Sequence, residues 1–257
     1  MMKRIAIGIM LVATALSGWC QQAQRQQRGG VKDSAEWVVD RYLQLMNLDA
    51  LRSDSILYME TVIYYASSPQ DTAIMKRWFL PPNRFRAELW HGDTLLEGTY
   101  TDGKRVFREY NVKTLDGWTR VAESRYYNVA PTYEFRGPLY NWRAQGGVLE
   151  YQGVWNFQGN EVYRVYMEAP ERYNSYFFFE KNSGLLFLEQ QTSHHSEYSN
   201  HQASVHPDVH GVHEYQPLGV SLLPSYESFQ IEGDRLLYLT TFRYLPLNMD
   251  IFTKDAQ

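Results

Sequence analysis

From residue 55 onward, apolar and polar residues alternate with a period of two, and short turn signals break the alternation at close intervals. No other feature restricts the fold as much. Such segments place side chains on two opposite faces, and tight turns pair each strand with its neighbour in the chain. In 84–90, Phe85, Ala87 and Leu89 fall on one face and Arg84, Arg86 and Glu88 on the other. In the strand around 149–157, Leu149, Tyr151, Trp155 and Phe157 are assigned to one face, with Gly153 between them, and Glu150, Gln152 and Asn156 to the other. Tyr176-Phe177-Phe178-Phe179 is apolar on both faces, which predicts a strand covered on two sides. Further strands are predicted over 55–66, 95–101, 105–110, 118–124, 162–167, 185–192, 219–231 and 235–244. Asp102-Gly103, Asp116-Gly117, Gln158-Gly159-Asn160, Asn182-Ser183-Gly184 and Gly233-Asp234 supply the turns.

The period changes ahead of the first strand. Val38, Tyr42 and Leu45 recur at helical spacing, with Val39, Leu43 and Met46 widening the stripe and Asp40, Arg41 and Gln44 on the other side. Asp33 and Glu36 stand at capping-box spacing, so a helix is expected over 34–46. A second short helix is expected over 138–144, with Pro138 in its first turn and Gly146-Gly147 at its end. The fold class is α+β, mainly β: an antiparallel unclosed β-barrel, or half-barrel, of about 10–11 strands, with one or more helices covering its concave face.

The N-terminus carries an export signal. Lys3 and Arg4 precede an uncharged apolar run over 5–16, and after Cys20 the chain turns polar. The run is too short to cross a bilayer core of about 30 Å as a helix. Residues 1–23 are therefore read as a signal peptide, 24–33 as a polar tether and 34–257 as a single domain. Cys20 is the only cysteine, so the domain has no internal disulfide. Its place after the apolar run resembles the lipidation site of a bacterial lipoprotein, although Trp19 stands where such signals carry a small residue. Lipidation would tether the protein to a membrane; ordinary cleavage near Cys20 or Ala23 would leave it free in the periplasm.

Chemistry is sparse. The sequence has no nucleophile elbow, P-loop, zinc-protease motif or dinucleotide fingerprint. No cofactor is expected, and the chain reads as a non-enzyme. The formal charge of −4 grows more negative once Lys3 and Arg4 leave, which argues against nucleic acid. Six of the seven histidines cluster late in the chain: His194, His195, His201, His206, His210 and His213. Their spacing matches no tight zinc motif. They are read as a polar loop between strands, with opportunistic metal binding as the alternative. The 20 Tyr, 12 Phe and 7 Trp suit either a β-rich core or an aromatic-lined cavity.

A family resemblance rests on short motifs in a fixed order. Phe79-Leu80-Pro81-Pro82-Asn83-Arg84-Phe85 is followed by Tyr100-Thr101-Asp102-Gly103-Lys104, then by Asn182-Ser183-Gly184-Leu185, by Gly219-Val220 with Pro224, and by Met249-Asp250-Ile251-Phe252-Thr253. This order resembles the periplasmic lipoprotein carriers of the LolA and LolB kind. The resemblance implies a half-barrel with helices as a lid over an apolar cavity, and a part in lipoprotein transport and outer-membrane biogenesis. It also marks a departure: Pro81 stands where the carrier has an arginine that holds the lid, so no site residue of that carrier transfers.

Two functions follow as expectations. In the first, an envelope protein binds a lipid or a lipoprotein acyl chain in the concave sheet, with Phe85, Leu89, Leu149, Tyr151, Trp155 and Phe157 as cavity-lining candidates. In the second, a sensor on the same fold recruits an envelope protein partner.

Overall fold

The computed structural model describes residues 34–81, 84–101, 105–114, 117–126, 136–169, 174–192, 209–231 and 234–253. Thirteen strands form one antiparallel sheet: β1 (Ser55–Tyr65), β2 (Ser68–Leu80), β3 (Arg84–His91), β4 (Thr94–Thr101), β5 (Arg105–Thr114), β6 (Gly117–Tyr126), β7 (Val148–Phe157), β8 (Asn160–Glu168), β9 (Ser175–Glu180), β10 (Leu186–Gln191), β11 (Val209–Leu218), β12 (Ser221–Ile231) and β13 (Asp234–Pro246). Their order is β6-β5-β4-β3-β2-β1-β13-β12-β11-β10-β9-β8-β7. Every neighbour pair but one is consecutive in the chain. The exception is β1 with β13, which joins the two halves over an eleven-residue register from Ser55–Pro246 to Tyr65–Leu236. β6 and β7 follow one another in sequence yet form the two edges, so the sheet is an open half-barrel.

The strand count exceeds the expected 10–11 by two, and both extra strands have a physical reason for being missed. β2 opens with Ser68-Pro69-Gln70-Asp71, largely exposed and without an apolar alternation. β11 contains His210, His213 and Pro217, and register shifts on both sides of Glu214 break its period of two. The late histidines are therefore not all in a loop: His210 and His213 are strand residues.

The described α-helix, α1 (Ala35–Met46), lies on one face of the sheet, called here the inner face. Its cap is Ser34, whose side chain accepts from Trp37 N at 3.1 Å; Asp33, read above as part of the cap, lies outside the described residues. Val38, Val39, Tyr42 and Met46 are buried, whereas Leu45 is exposed. Asn47 ends the helix in the left-handed conformation at φ 46°. The helix expected over 138–144 does not form. That segment is a succession of turns, because Asn141 takes φ 56° and interrupts helical geometry.

The main core lies between α1 and the inner face. Val39, Val165, Phe177 and Phe179 are fully buried there, with Leu57, Met59, Tyr163, Met167, Leu186 and Leu223 around them. A smaller cluster covers the outer face, where the 3-10 turn Met249–Phe252 sets Phe252 against Ile56 and Leu80.

Candidate functional site

The underside of α1 is apolar and aromatic. Tyr42 packs on Phe179 with ring centroids 5.5 Å apart, and Trp37 meets Tyr163 edge-on at 5.9 Å. The rim of the helix is polar. Arg41 donates to the carbonyl oxygens of Lys181 and Asn182 at 3.1 and 2.8 Å. Arg143 pairs with Glu36 and Asp40, each at 3.1 Å. Past the helix end, Asn47 donates to Val220 O at 3.3 Å, Ser221 donates to Asn47 O at 2.8 Å, and Tyr140 hydrogen-bonds Asp49. α1 therefore covers a greasy floor and is fastened at its edges by contacts that water can replace. Between α1 and the turns at 140–144 opens a cleft of about 470 Å³, lined by Leu43, Leu48, Tyr140 and Trp142 with Asp40 and Arg143 at its edge.

The six lining candidates divide between the two faces. Phe85 pairs with Phe79 and belongs to the inner core. Leu89 shares that parity, opposite Met75, but lies beyond the helix-covered floor. Leu149 and Tyr151 pair with Met167 and Val165 and pack against the core. Trp155 and Phe157 do not join them. Between the Tyr151–Val165 and Val154–Tyr163 pairs, Gln152 and Gly153 together oppose Arg164, which makes a β-bulge with Gly153 at φ 95°. The extra residue reverses the alternation, so Val154 takes the inner position. Trp155 lies on the outer face under the Arg164 guanidinium at 4.3 Å, and Phe157 packs on Phe187 at 5.2 Å. The single-face assignment made from sequence is corrected accordingly.

The floor grades into a polar region. Ser175 donates to Glu189 at 2.8 Å; Glu189 lies 3.6 Å from His210 Nδ1; and His210 Nε2 is 2.8 Å from Glu227. The His210 ring stacks on Phe229 at 4.3 Å. Burial disfavours the charged imidazole, but the Glu189 and Glu227 carboxylates favour it more strongly and hold its pKa up at about 9. Tyr42 of α1 reaches this region through a hydrogen bond with Tyr215, whose hydroxyl donates to Leu186 O at 2.5 Å. Burial pushes both phenols well above their ordinary range.

Sequence reading missed Glu189, Glu227, Arg77 and Tyr215. A usable signal existed: each is a polar group at an inward position of its strand, as Glu227 is in the series Leu223, Ser225, Glu227, Phe229.

Of the six clustered histidines, His194, His195, His201 and His206 lie outside the described residues. His210 and His213 face opposite sides of the sheet. A Cβ at Gly211, which neighbours His210 on β11, would stand 3.3 Å from His213 Nε2, and His213 bonds Ser228 at 2.8 Å. Among the described residues, no group of three His, Cys, Asp or Glu side chains is arranged to hold a metal. Cys20 and the signal segment also lie outside the described residues.

No family model matches the chain, and no curated protein matches it. The fold does recur among solved structures. A LolA superfamily protein from Nitrosomonas europaea superposes with a TM-score of 0.55 at 8% identity, over 87% of this chain and 99% of that one. A DUF1329 family protein from Desulfovibrio piger gives 0.49 at 12% identity, over 87% and 99%. A domain described as an outer membrane lipoprotein-sorting protein, from Vibrio parahaemolyticus, gives 0.48 at 9% identity, over 86% and 98%. The open half-barrel is thus the fold seen in that LolA superfamily protein, as the ordered motifs of the sequence had implied.

Proposed function

We propose that this is an exported, non-catalytic protein that binds an apolar ligand, a lipoprotein acyl chain or another lipid, against the inner face of its half-barrel. One observation carries the reading. The underside of α1 rests on a continuous aromatic and aliphatic floor, while the rim of the helix is tied down by polar contacts. Shifting α1 would offer that floor to a ligand, and each Å² of apolar surface buried contributes roughly 25 cal/mol. Phe85, Leu149 and Tyr151 are the proposed floor residues and Leu89 its extension; Trp155 and Phe157, on the outer face, are left out. Residues 1–23 direct export in this reading, and Cys20 is the place where a lipid anchor would attach.

The test is direct. The chain from Gly29 onward is expressed in a bacterial periplasm, purified without detergent and weighed by native and denaturing mass spectrometry. A co-purified acyl lipid or lipopeptide, lost in Tyr151→Asp while circular dichroism stays unchanged, supports the reading. A clean apo mass together with failure to bind a fatty-acyl probe would sink it and turn attention to a protein partner.

A further inference from the structure

Beyond the floor, the inner face of β2, β1, β13 and β12 carries a row of polar groups set among apolar ones. Arg77 Nη2 donates to Thr61 Oγ1 at 2.9 Å, and Thr61 Oγ1 lies 2.9 Å from Thr240 Oγ1. Ser225 follows Thr240 in the row by continuation of the Tyr226–Leu239 register. Thr61, Thr240 and Ser225 are all buried. Arg77 is opposed by Met59 and Ala87 across its two strand pairs, and its own strand places Met75 and Phe79 on the same face.

Among the described residues, two buried atoms in the row have no hydrogen-bond partner: Arg77 Nε and Ser225 Oγ. Among the described residues no carboxylate forms an ion pair with Arg77. Glu227 acts on it only from a distance, being committed to His210 at 2.8 Å, and Tyr238 is the other titratable group that faces it. Burial lowers the Arg77 pKa from its ordinary value, as loss of water around a cation does. A buried guanidinium N–H left without a partner is costly, and a hydrogen-bonded anion relieves that cost.

We propose that the row Arg77, Thr61, Thr240 and Ser225 is the headgroup subsite of the inner face, and that it takes an amphiphile with a single anionic group, carboxylate or phosphate. The proposal deepens the apolar-ligand reading and rests on it. Arg77 neighbours the Leu57, Phe79 and Phe85 end of the floor, so an acyl chain lying on that floor can place its anionic end at Arg77 Nε. Thr61 holds the guanidinium through Nη2 and so fixes the direction in which the unpartnered Nε–H points, which suits donation to one anionic oxygen.

Isothermal titration calorimetry with laurate, methyl laurate, dodecyl phosphate and inorganic phosphate tests this on the chain from Gly29 onward. Laurate and dodecyl phosphate are expected to bind about tenfold more tightly than methyl laurate, the worth of one charge-assisted hydrogen bond. Arg77→Met should erase that preference while leaving methyl laurate within about twofold, which also shows that the variant folds. Arg77→Lys should keep part of the preference, and Ser225→Ala should weaken laurate and dodecyl phosphate while leaving methyl laurate unchanged. Equal binding of laurate and methyl laurate by the unaltered chain would overturn the subsite and leave the apolar-ligand reading standing. Binding of none of the three chains would overturn both. Inorganic phosphate binding as tightly as dodecyl phosphate would overturn the amphiphile and point to a free anion.

Discussion

Gly184 and Arg41 fit against each other so closely that a Cβ on Gly184 would stand 2.7 Å from Arg41 Nε. Gly184 also takes φ 81° in the turn between β9 and β10, whose carbonyls at Lys181 and Asn182 receive the Arg41 guanidinium. Gly184→Ala therefore meets both a strained backbone and a displaced arginine. It is expected to cost about 1–2 kcal/mol in urea denaturation, mostly from the backbone. Arg41→Ala keeps the turn and removes only the clasp. It should cost about 1 kcal/mol and speed uptake of a fatty-acyl probe. Unchanged uptake would mean that α1 stays seated while ligand enters.

Tyr151 and Trp155 belong to one strand and face opposite ways. If ligand lies on the inner face, Tyr151→Ala weakens probe binding by tenfold or more, because its ring packs on the core beside Tyr163 at 6.3 Å. Trp155→Ala leaves binding within about twofold and costs about 1 kcal/mol of stability through the lost Arg164 contact. Loss of binding in the Trp155 variant with Tyr151 silent would move the site to the outer face.

The pH dependence of stability should follow His210. Its pKa is raised in the folded protein to about 9 from an ordinary 6.5, so folding binds a proton more tightly than the unfolded chain does. That stabilisation is complete below pH 6.5 and is lost as pH rises through 9. Chemical denaturation between those limits should show a decline on the order of 2–3 kcal/mol. His210→Gln should flatten it. A profile that is level in the unaltered protein would show that the Glu189 and Glu227 carboxylates do not hold the ring charged.

Gly153 separates a backbone requirement from a register requirement. Among the described residues nothing stands within 4 Å of a Cβ placed there, so Gly153→Ala meets only the positive φ and should cost about 1–2 kcal/mol. Deleting Gly153 leaves Gln152 alone opposite Arg164, so Val154 keeps its inner place and Trp155 and Phe157 stay on the outer face. The deletion variant should therefore fold with a near-native circular dichroism spectrum and lose no more than about 2 kcal/mol in urea denaturation. A deletion variant that does not fold would show that β7 needs the local bend the bulge supplies.

Much of the architecture was legible in the residues. Alternation in Phe85, Ala87 and Leu89 placed the inner face of β3, and the stripe Val38, Val39, Tyr42 and Met46 placed the underside of α1. The ordered motifs pointed to the half-barrel. Alternation failed where one residue was added or hidden. Gly153 reversed the parity of β7, the irregularities beside Glu214 concealed β11, and the left-handed Asn141 prevented the second helix.

The sequence by itself determined the class of structure: period-two segments joined by tight turns must pair with their neighbours, and an amphipathic helix must cover one face of the sheet they make. Only the tertiary structure decided which polar side chains meet on that face. Arg77, Thr240, Glu189, His210 and Glu227 come from five strands spread over about 160 positions of the chain, and it is the β1–β13 pairing that brings Arg77 of one half beside the other four. Spacing along one strand records which face a residue occupies. It carries no information about which distant strand lies alongside, because that is settled by the register of pairing and the burial it achieves.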